Sequence, residues 1–167
     1  MYADTQSGTH TITCQSLVIA SGGLSIPKIG ASRFGYDVAK QFGLPVTAVK
    51  PALVPLTFQH EFLHRCRALS GLSVDAEVRY GKTVFREGLL FTHRGLSGPS
   101  ILQISSYWDE GQALEIDLLP DIDVTALLKA RKSETPRQDV LTALADCLPR
   151  RLAADILDEL SVSGRLR

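Results

Sequence analysis

The chain has 167 residues, 44% of them hydrophobic, and eighteen basic residues balance eighteen acidic ones. That length and apolar content suffice to bury a core in one domain or two small ones, which excludes a disordered chain, and zero net charge excludes a global field that would draw in nucleic acid or an anionic membrane. Cys14, Cys66 and Cys147 are odd in number, far apart and in no C-x-x-C pair, so they read as free thiols, and with no apolar run of membrane-spanning length and no signal-peptide pattern the expected location is cytoplasmic.

In chain order, the stretch from Ala3 to His10 reads as a polar turn between two strands, and residues 9–14 alternate polar and apolar like an edge strand. Leu17-Val-Ile-Ala20 is an unbroken apolar run, expected to be a strand buried on both faces and paired with 9–14. Ser21-Gly22-Gly23 ends that strand with residues that permit positive φ and bring backbone close to whatever lies beside it. Pro27, Gly30 and Gly35 keep the next dozen residues irregular, and residues 36–42 form a short helix closed by Gly43 and Pro45. The glycines spell neither G-x-G-x-x-G nor G-x-x-x-x-G-K-[ST], so an ordinary strand-to-helix turn explains the spacing as well as a ligand loop does.

From Val46 the texture is that of short strands: 46–49, 53–58 and 73–80, the last with Val74, Ala76 and Val78 facing one way and Asp75, Glu77 and Arg79 the other. A tight turn at Tyr80-Gly81-Lys82 leads into 83–87, Gly88 separates this from 89–92, and 113–118 adds another strand. Six or so such strands favour a small, mostly antiparallel β-barrel or sandwich. Past Pro120, a helix over 124–132 and two amphipathic helices over 137–148 and 150–160, divided by Pro149, read as a helical cluster whose apolar stripes form core.

Two motifs carry possible chemistry outside the glycine loop. In Phe91-Thr-His-Arg-Gly-Leu-Ser-Gly-Pro99, Ser97 is the expected N-cap of a helix over 98–107 whose first amides would attract an anion. His93 and Arg94 stand just before it as the candidate catalytic pair, with Thr92 and Ser97 as candidate substrate contacts. His60-Glu61-Phe-Leu-His64 matches the H-E-x-x-H zinc signature, but Pro55 and Gly71 confine the segment and no third ligand is recognisable, so no metal site is assigned. Gly95, Ser97 and Pro99 fail the G-x-S-x-G elbow at its last position, and Tyr107 and Trp108, without a basic stripe beside them, read as packing residues.

Three segments in this order resemble one family: Ala20-Ser-Gly-Gly-Leu-Ser-Ile-Pro-Lys-Ile-Gly-Ala-Ser-Arg-Phe-Gly-Tyr-Asp-Val-Ala39, Pro51-Ala-Leu-Val-Pro-Leu-Thr57, and Leu90-Phe-Thr-His-Arg-Gly-Leu-Ser-Gly-Pro-Ser-Ile-Leu-Gln-Ile-Ser105. They are similar to the YhiN/BaiN-type flavoproteins, bacterial FAD-dependent oxidoreductases that include aminoacetone oxidase. The likeness is good over about residues 17–120 and loose at the flanks; Ser21 stands where that family more often has threonine, which keeps the hydroxyl. The resemblance implies that the glycine turn lies beside FAD, with Ser21, Gly22, Gly23, Ser25, Gly30, Gly35 and Tyr36 along the cofactor.

The same resemblance implies an α+β chain in three parts. Residues 1–45 would be a remnant of an FAD-binding, Rossmann-like domain, 46–120 an inserted β-barrel-like domain and 121–167 a helical subdomain of the insert. It also implies a fragment, since full members carry a dinucleotide-binding βαβ unit and a closing glycine-rich segment. Such a fragment would bind FAD weakly or not at all and be inactive alone. The implied partners are a small-molecule substrate and the remaining FAD-domain segments, with no nucleic acid and no membrane. Two alternatives stay open beside the flavin oxidoreductase: a free-standing β-barrel binding module without catalysis, and a zinc hydrolase working through His60, Glu61 and His64.

Overall fold

The computed structural model describes residues 2–5 and 8–166, and Met1, Gln6, Ser7 and Arg167 lie outside it, so the polar turn expected around Gln6 and Ser7 is not described. The chain divides into two compact units, residues 1–50 and 51–167.

The first unit begins with an antiparallel pair, β1 (Tyr2–Thr5) and β2 (Gly8–Thr11), in the register Tyr2 to Thr11 and Thr5 to Gly8. The expected pairing of 9–14 with 17–20 is therefore replaced by a hairpin one step earlier. Residues 17–20 form no strand, and Val18 is 84% exposed. A run that is apolar on both faces needs a strand on either side and a layer above and below, and the described residues of this unit supply none.

A single 3-10 turn, Pro27–Ile29, precedes α1 (Phe34–Gln41). Helix α1 ends in a Schellman motif, with Gly43 N donating to Lys40 O (2.9 Å) and Leu44 N to Ala39 O (2.9 Å). The strand expected over 46–49 is absent. Pro45 and Pro51 bracket it, each without an amide to give to a ladder.

The second unit is a five-stranded, wholly antiparallel sheet with helices. Its strands are β3 (Leu56–Thr57), β4 (Ser73–Tyr80), β5 (Thr83–Thr92), β6 (Gly95–Ser97) and β7 (Glu115–Asp117), in the order β3-β6-β5-β4-β7. This is the α+β, antiparallel half-barrel architecture that the strand pattern predicts. β4 and β5 pair from Ser73–Leu90 to Tyr80–Thr83 around Gly81-Lys82, and Ala76 and Val78 are fully buried, as their alternation requires.

β5 runs unbroken through Gly88, which pairs with Asp75, where a break was expected. Ser100 Oγ donates to Gly88 O (3.1 Å), and a Cβ on Gly88 would already meet Pro99 Cδ at 3.8 Å. The glycine does not end the strand, and a Cβ there would make only ordinary contact with α3.

The helices are α2 (His60–Ala68), α3 (Pro99–Ile104), α4 (Val124–Glu134), α5 (Val140–Leu144) and α6 (Arg150–Glu159). Cys66 and Leu69 from the α2 region, Ile101 and Ile104 from α3, and Leu152, Ala153 and Leu157 from α6 join Val78, Leu89, Phe91 and Leu96 of the sheet in one core. The apolar stripes of the two last helices are thus core, although Leu160 stays 64% exposed.

Helix α5 is shorter than the 137–148 expected. Asp139 caps it by accepting from Leu141 N (2.9 Å), which leaves Arg137 and Gln138 outside, and Gln138 O accepts from Leu166 N (3.0 Å). No described helix is long and apolar enough to cross a membrane.

Candidate functional site

Two loops carry the residues that the sequence singles out, one in each unit. In the first, Gly22 has φ +72°, is exposed, and would have no atom within 4 Å of an added Cβ. Its neighbours are packed instead. A Cβ on Gly23 would stand 3.3 Å from the Tyr36 hydroxyl, and one on Gly35 3.1 Å from Ser21 Oγ and 3.4 Å from Ile19 Cγ2.

The structure therefore brings Ser21 and Gly23 onto the first turn of α1 at Gly35 and Tyr36. It leaves the Gly22 backbone facing open space, where only glycine takes this φ without strain. Ser25 is exposed on the same loop, and Gly30 closes the 3-10 turn through its amide to Pro27 O (3.1 Å). Gly22 and Gly30 are thus two positions on this loop at which a planar or phosphorylated group could rest on main chain.

In the second unit, Thr92 ends β5, His93 and Arg94 form the exposed tip of the turn, and Gly95 opens β6. Thr92 Oγ1 donates to Gly95 O (3.0 Å) and accepts from Arg94 N (3.3 Å), so its hydroxyl is used in shaping the turn. Ser97 is half-buried in β6 opposite Leu90 and is not a helix cap.

The residue that leads into α3 is Gly98, at φ +94°, where a Cβ would lie 2.5 Å from Gly88 O and 2.9 Å from Leu90 N. The first turn of α3 is therefore pressed against β5, with Ser100 and Ile101 buried. That leaves no opening for the anion expected there. α3 also stops at Ile104, where the backbone bonds tighten to Ser106 N on Gln103 O (3.2 Å) and Tyr107 N on Ile104 O (2.9 Å), while Ser105 Oγ donates to Leu102 O (2.7 Å) and accepts from Val54 N (3.0 Å).

Helix α2 places His60 and His64 one turn apart, both exposed. Among the described residues no group of three or more His, Cys, Asp or Glu side chains comes together that could hold a metal ion. Burial pushes the Cys66 thiol on the opposite face up from its ordinary range, the Arg65 charge opposes that shift and Asp155 adds to it.

What sequence reading missed is the company α2 keeps at its far end. Arg67 Nε donates to His93 O (3.4 Å), and the Arg151 guanidinium of α6 donates to Ala68 O. Arg65 is bound by Asp155, through Nε (2.9 Å) and Nη2 (2.7 Å), and by Glu159. The spacing of His60, His64 and Arg67 on one helical face was the available signal, and the zinc motif drew attention from it. A second missed feature is an apolar cleft of about 670 Å³ between β7 and helices α4 to α6, with Leu128, Val140, Leu148 and Ile156 in its wall.

An antiparallel half-barrel followed by a cluster of short helices defines a compound barrel-and-helix module. Residues 50–165 match the family described as "HI0933-like protein barrel and H2TH domain", and the chain belongs to that family. It is 49% identical over 143 residues to the ribosomal RNA dihydrouridine synthase of Escherichia coli K12, covering 85% of this chain and 36% of that protein. It is 44% identical over 143 residues to the enzyme of the same name from Haemophilus influenzae, covering 83% and 35%. A 3-dehydro-bile acid delta(4,6)-reductase of Clostridium scindens is 26% identical over 156 residues, covering 85% and 37%. The chain thus spans about a third of the length of these relatives.

Proposed function

We propose that the chain is part of an FAD-dependent oxidoreductase that reduces a carbon–carbon double bond, and that its substrate is a uridine in ribosomal RNA. The observation that carries the cofactor assignment is Gly22: an exposed glycine at positive φ, with free space where a side chain would stand, on the turn that the family resemblance puts beside the flavin. The RNA assignment rests on the two relatives at 49% and 44% identity, whose names state that activity.

The main chain at Gly22 is uncovered, as it also is at Gly30 and Gly43, so its place on the turn that resembles the family's cofactor turn, and not its openness alone, supports the fit to a flavin. When bound and reduced by a two-electron donor such as a reduced nicotinamide, the flavin would supply the two electrons of the reduction. This chain's own part is to bind and orient. Ser21 offers a hydroxyl beside the turn, and the contacts of Gly23 and Gly35 hold the turn against α1 so that Gly22 stays open. In the second unit, His93 and Arg94 offer donors and charge to the substrate, and the Thr92 hydroxyl fixes the turn that presents them.

The sequence holds no glycine-rich pyrophosphate fingerprint, so this chain alone binds FAD weakly or not at all. The remaining FAD-domain segments of a longer parent chain are its partner in this reading. They would cover the apolar side chains of the first unit, among which Ile29 is 79% and Phe42 69% exposed. A cytoplasmic location belongs to the same proposal.

A second reading, in which the substrate is a small molecule and no nucleic acid takes part, is favoured by the bile-acid reductase at 26% identity. The two part on one experiment with the full-length parent enzyme. A flavin absorbance spectrum, together with loss of dihydrouridine from ribosomal RNA when His93 and Arg94 are both changed to Ala, is the expected result. A colourless parent protein refutes the flavin assignment, and unchanged dihydrouridine in a strain lacking the enzyme refutes the RNA assignment.

A further inference from the structure

Resting on the reading that the parent enzyme acts on RNA, we propose that the solvent face of α2, the β5–β6 turn and Arg151 of α6 together hold the phosphodiester backbone of that RNA. At 100° per residue, His64 and Arg67 fall within about 60° of one another on α2, opposite the buried Cys66, and His60, at φ +56°, stands at the helix's first residue. All three are exposed. Two further cations join them at the C-terminal end of the helix: Arg94, on the turn whose His93 carbonyl takes the Arg67 Nε hydrogen bond, and Arg151, whose guanidinium reaches the Ala68 carbonyl.

The arginines of this unit fall into two groups. Arg65, Arg79, Arg86 and Arg131 are each paired with carboxylates. Arg67, Arg94 and Arg151 have no carboxylate partner among the described residues, and neither do Arg137, Arg150 and Arg165; what sets the first three apart is that they meet at one end of α2. Asp155 and Glu159 on α6 are both taken up by Arg65, and Glu61 sits on the Arg65 side of the helix, about 100° from His60. A merely solvated helix face ordinarily mixes signs in pairs three or four residues apart. This one does carry an acid, Glu61, three residues before His64, but none lies beside Arg67 at the C-terminal end, where Arg94 and Arg151 gather.

Arg67 and Arg151 each spend part of a five-donor fork on a backbone carbonyl, which fixes the guanidinium and leaves donors pointing outward. Among the described residues, none of the strongly exposed large hydrophobic side chains lies on α2 or on the β5–β6 turn. Apolar anchors would mark a protein partner; donors and charge without them suit a polyanion. Phosphate contacts of this kind set position and affinity and read no sequence, so they need only a local field, which a chain of zero net charge can still present.

The test uses the 167-residue chain and a labelled single-stranded RNA of about 20 nucleotides, with binding followed by fluorescence anisotropy from about 50 to 200 mM KCl. The wild type is expected to bind with affinity that falls steeply with salt. The triple variant R67Q/R94Q/R151Q is expected to lose at least about tenfold at low salt, and its log–log salt slope to shrink by about 2, because each phosphate contact on a single strand contributes about 0.7. R67K/R94K/R151K keeps the charge and most of the affinity, while K129Q/K132Q/R137Q, changed on α4 and after it, binds as the wild type does.

Should the triple variant unfold, R94Q alone serves, since among the described residues no hydrogen bond or ion pair holds that side chain; it is expected to lower the slope by about 0.7. Wild-type binding that survives the glutamine substitutions, an equal loss in the α4 control, or equal affinity for polyglutamate of matched charge overturns this surface and leaves the RNA substrate standing. A wild type that binds no RNA at low salt overturns this surface as well, whereas the RNA substrate itself falls only if dihydrouridine is unchanged in a strain lacking the full-length enzyme.

Discussion

Gly98 shows how much one residue can settle. Its φ of +94° is costly for any residue with a side chain, and a Cβ there would sit 2.5 Å from the Gly88 carbonyl oxygen. The atoms that Cβ would strike, Gly88 O and Leu90 N, belong to backbone, so no rotamer change relieves the clash. Gly98→Ala is expected to lower stability by about 3 kcal/mol, combining left-handed strain with overpacking, which a shift in urea midpoint at unchanged slope would show. Sequence alone ranked Ser97 as the cap because serine suits that role, but the end of β6 is set by where the chain must pass close over β5. That is a tertiary fact, and no local preference encodes it.

Cys66 is the other residue-scale case. Its thiol is raised chiefly by burial. The folded state therefore holds its proton at a pH where the unfolded thiol has lost it, and stability falls as pH rises past about 8.5. Stability curves from pH 7 to 10 should drop more steeply for the wild type than for Cys66→Ala. Iodoacetamide should label the exposed Cys14 first and Cys66 only after denaturant is added. Labelling of Cys66 at the rate of Cys14 in the native protein would contradict its burial.

Among the elements, those with an uninterrupted local signal were legible. β4 matches the eight residues that its period-two alternation marks, and α6 starts right after Pro149 as the proline dictates. The errors lie where an element depends on a partner. Residues 17–20 read as a strand, yet a strand is a relation between segments, and no described segment of the unit pairs with them. Residues 137–148 read as one helix, and the overlooked signal was Asp139, whose side chain starts the helix at Val140.

Asp123 plays the same part at α4 by accepting from Ala126 N (3.0 Å). Because α4 contributes no fully buried residue, its stability depends more on this cap than that of a core helix would. Asp123→Ala is expected to cost about 1 kcal/mol and to lower protection of the first α4 amides in hydrogen exchange before it affects the sheet. Equal exchange in α4 with and without Asp123 would show that packing alone holds the helix.

At the scale of the whole chain the two units differ in kind. The second has a contiguous core, with Ala76, Val78, Ile101, Ile104, Cys66 and Ala153 at 0% exposure. In the first, no described residue from Gly8 to Lys50 is buried, and Val18, Ile29 and Phe42 are largely open to water. Hydrophobic burial is the main force that offsets chain entropy, at about 25 cal/mol per Å², and residues that bury almost nothing must exchange their amides nearly as fast as an unfolded chain.

The irregular glycine loop was legible because its backbone requirement, a positive φ at Gly22, is local. The missing core was not legible in the composition, since the same apolar residues that ought to build it are present and simply lack a counterpart. Hydrogen exchange of the purified chain should therefore give low protection from Gly8 to Lys50 and high protection in β4, β5 and α6, and limited proteolysis should leave a resistant piece beginning near Pro51. In a full-length parent, the same amides at 17–23 are expected to become protected, because a buried strand and a covered glycine turn would then exist. Protection there that is already high in the isolated chain would mean that the first unit closes its own core, and with it the case for a flank open to further polypeptide and to FAD would fall.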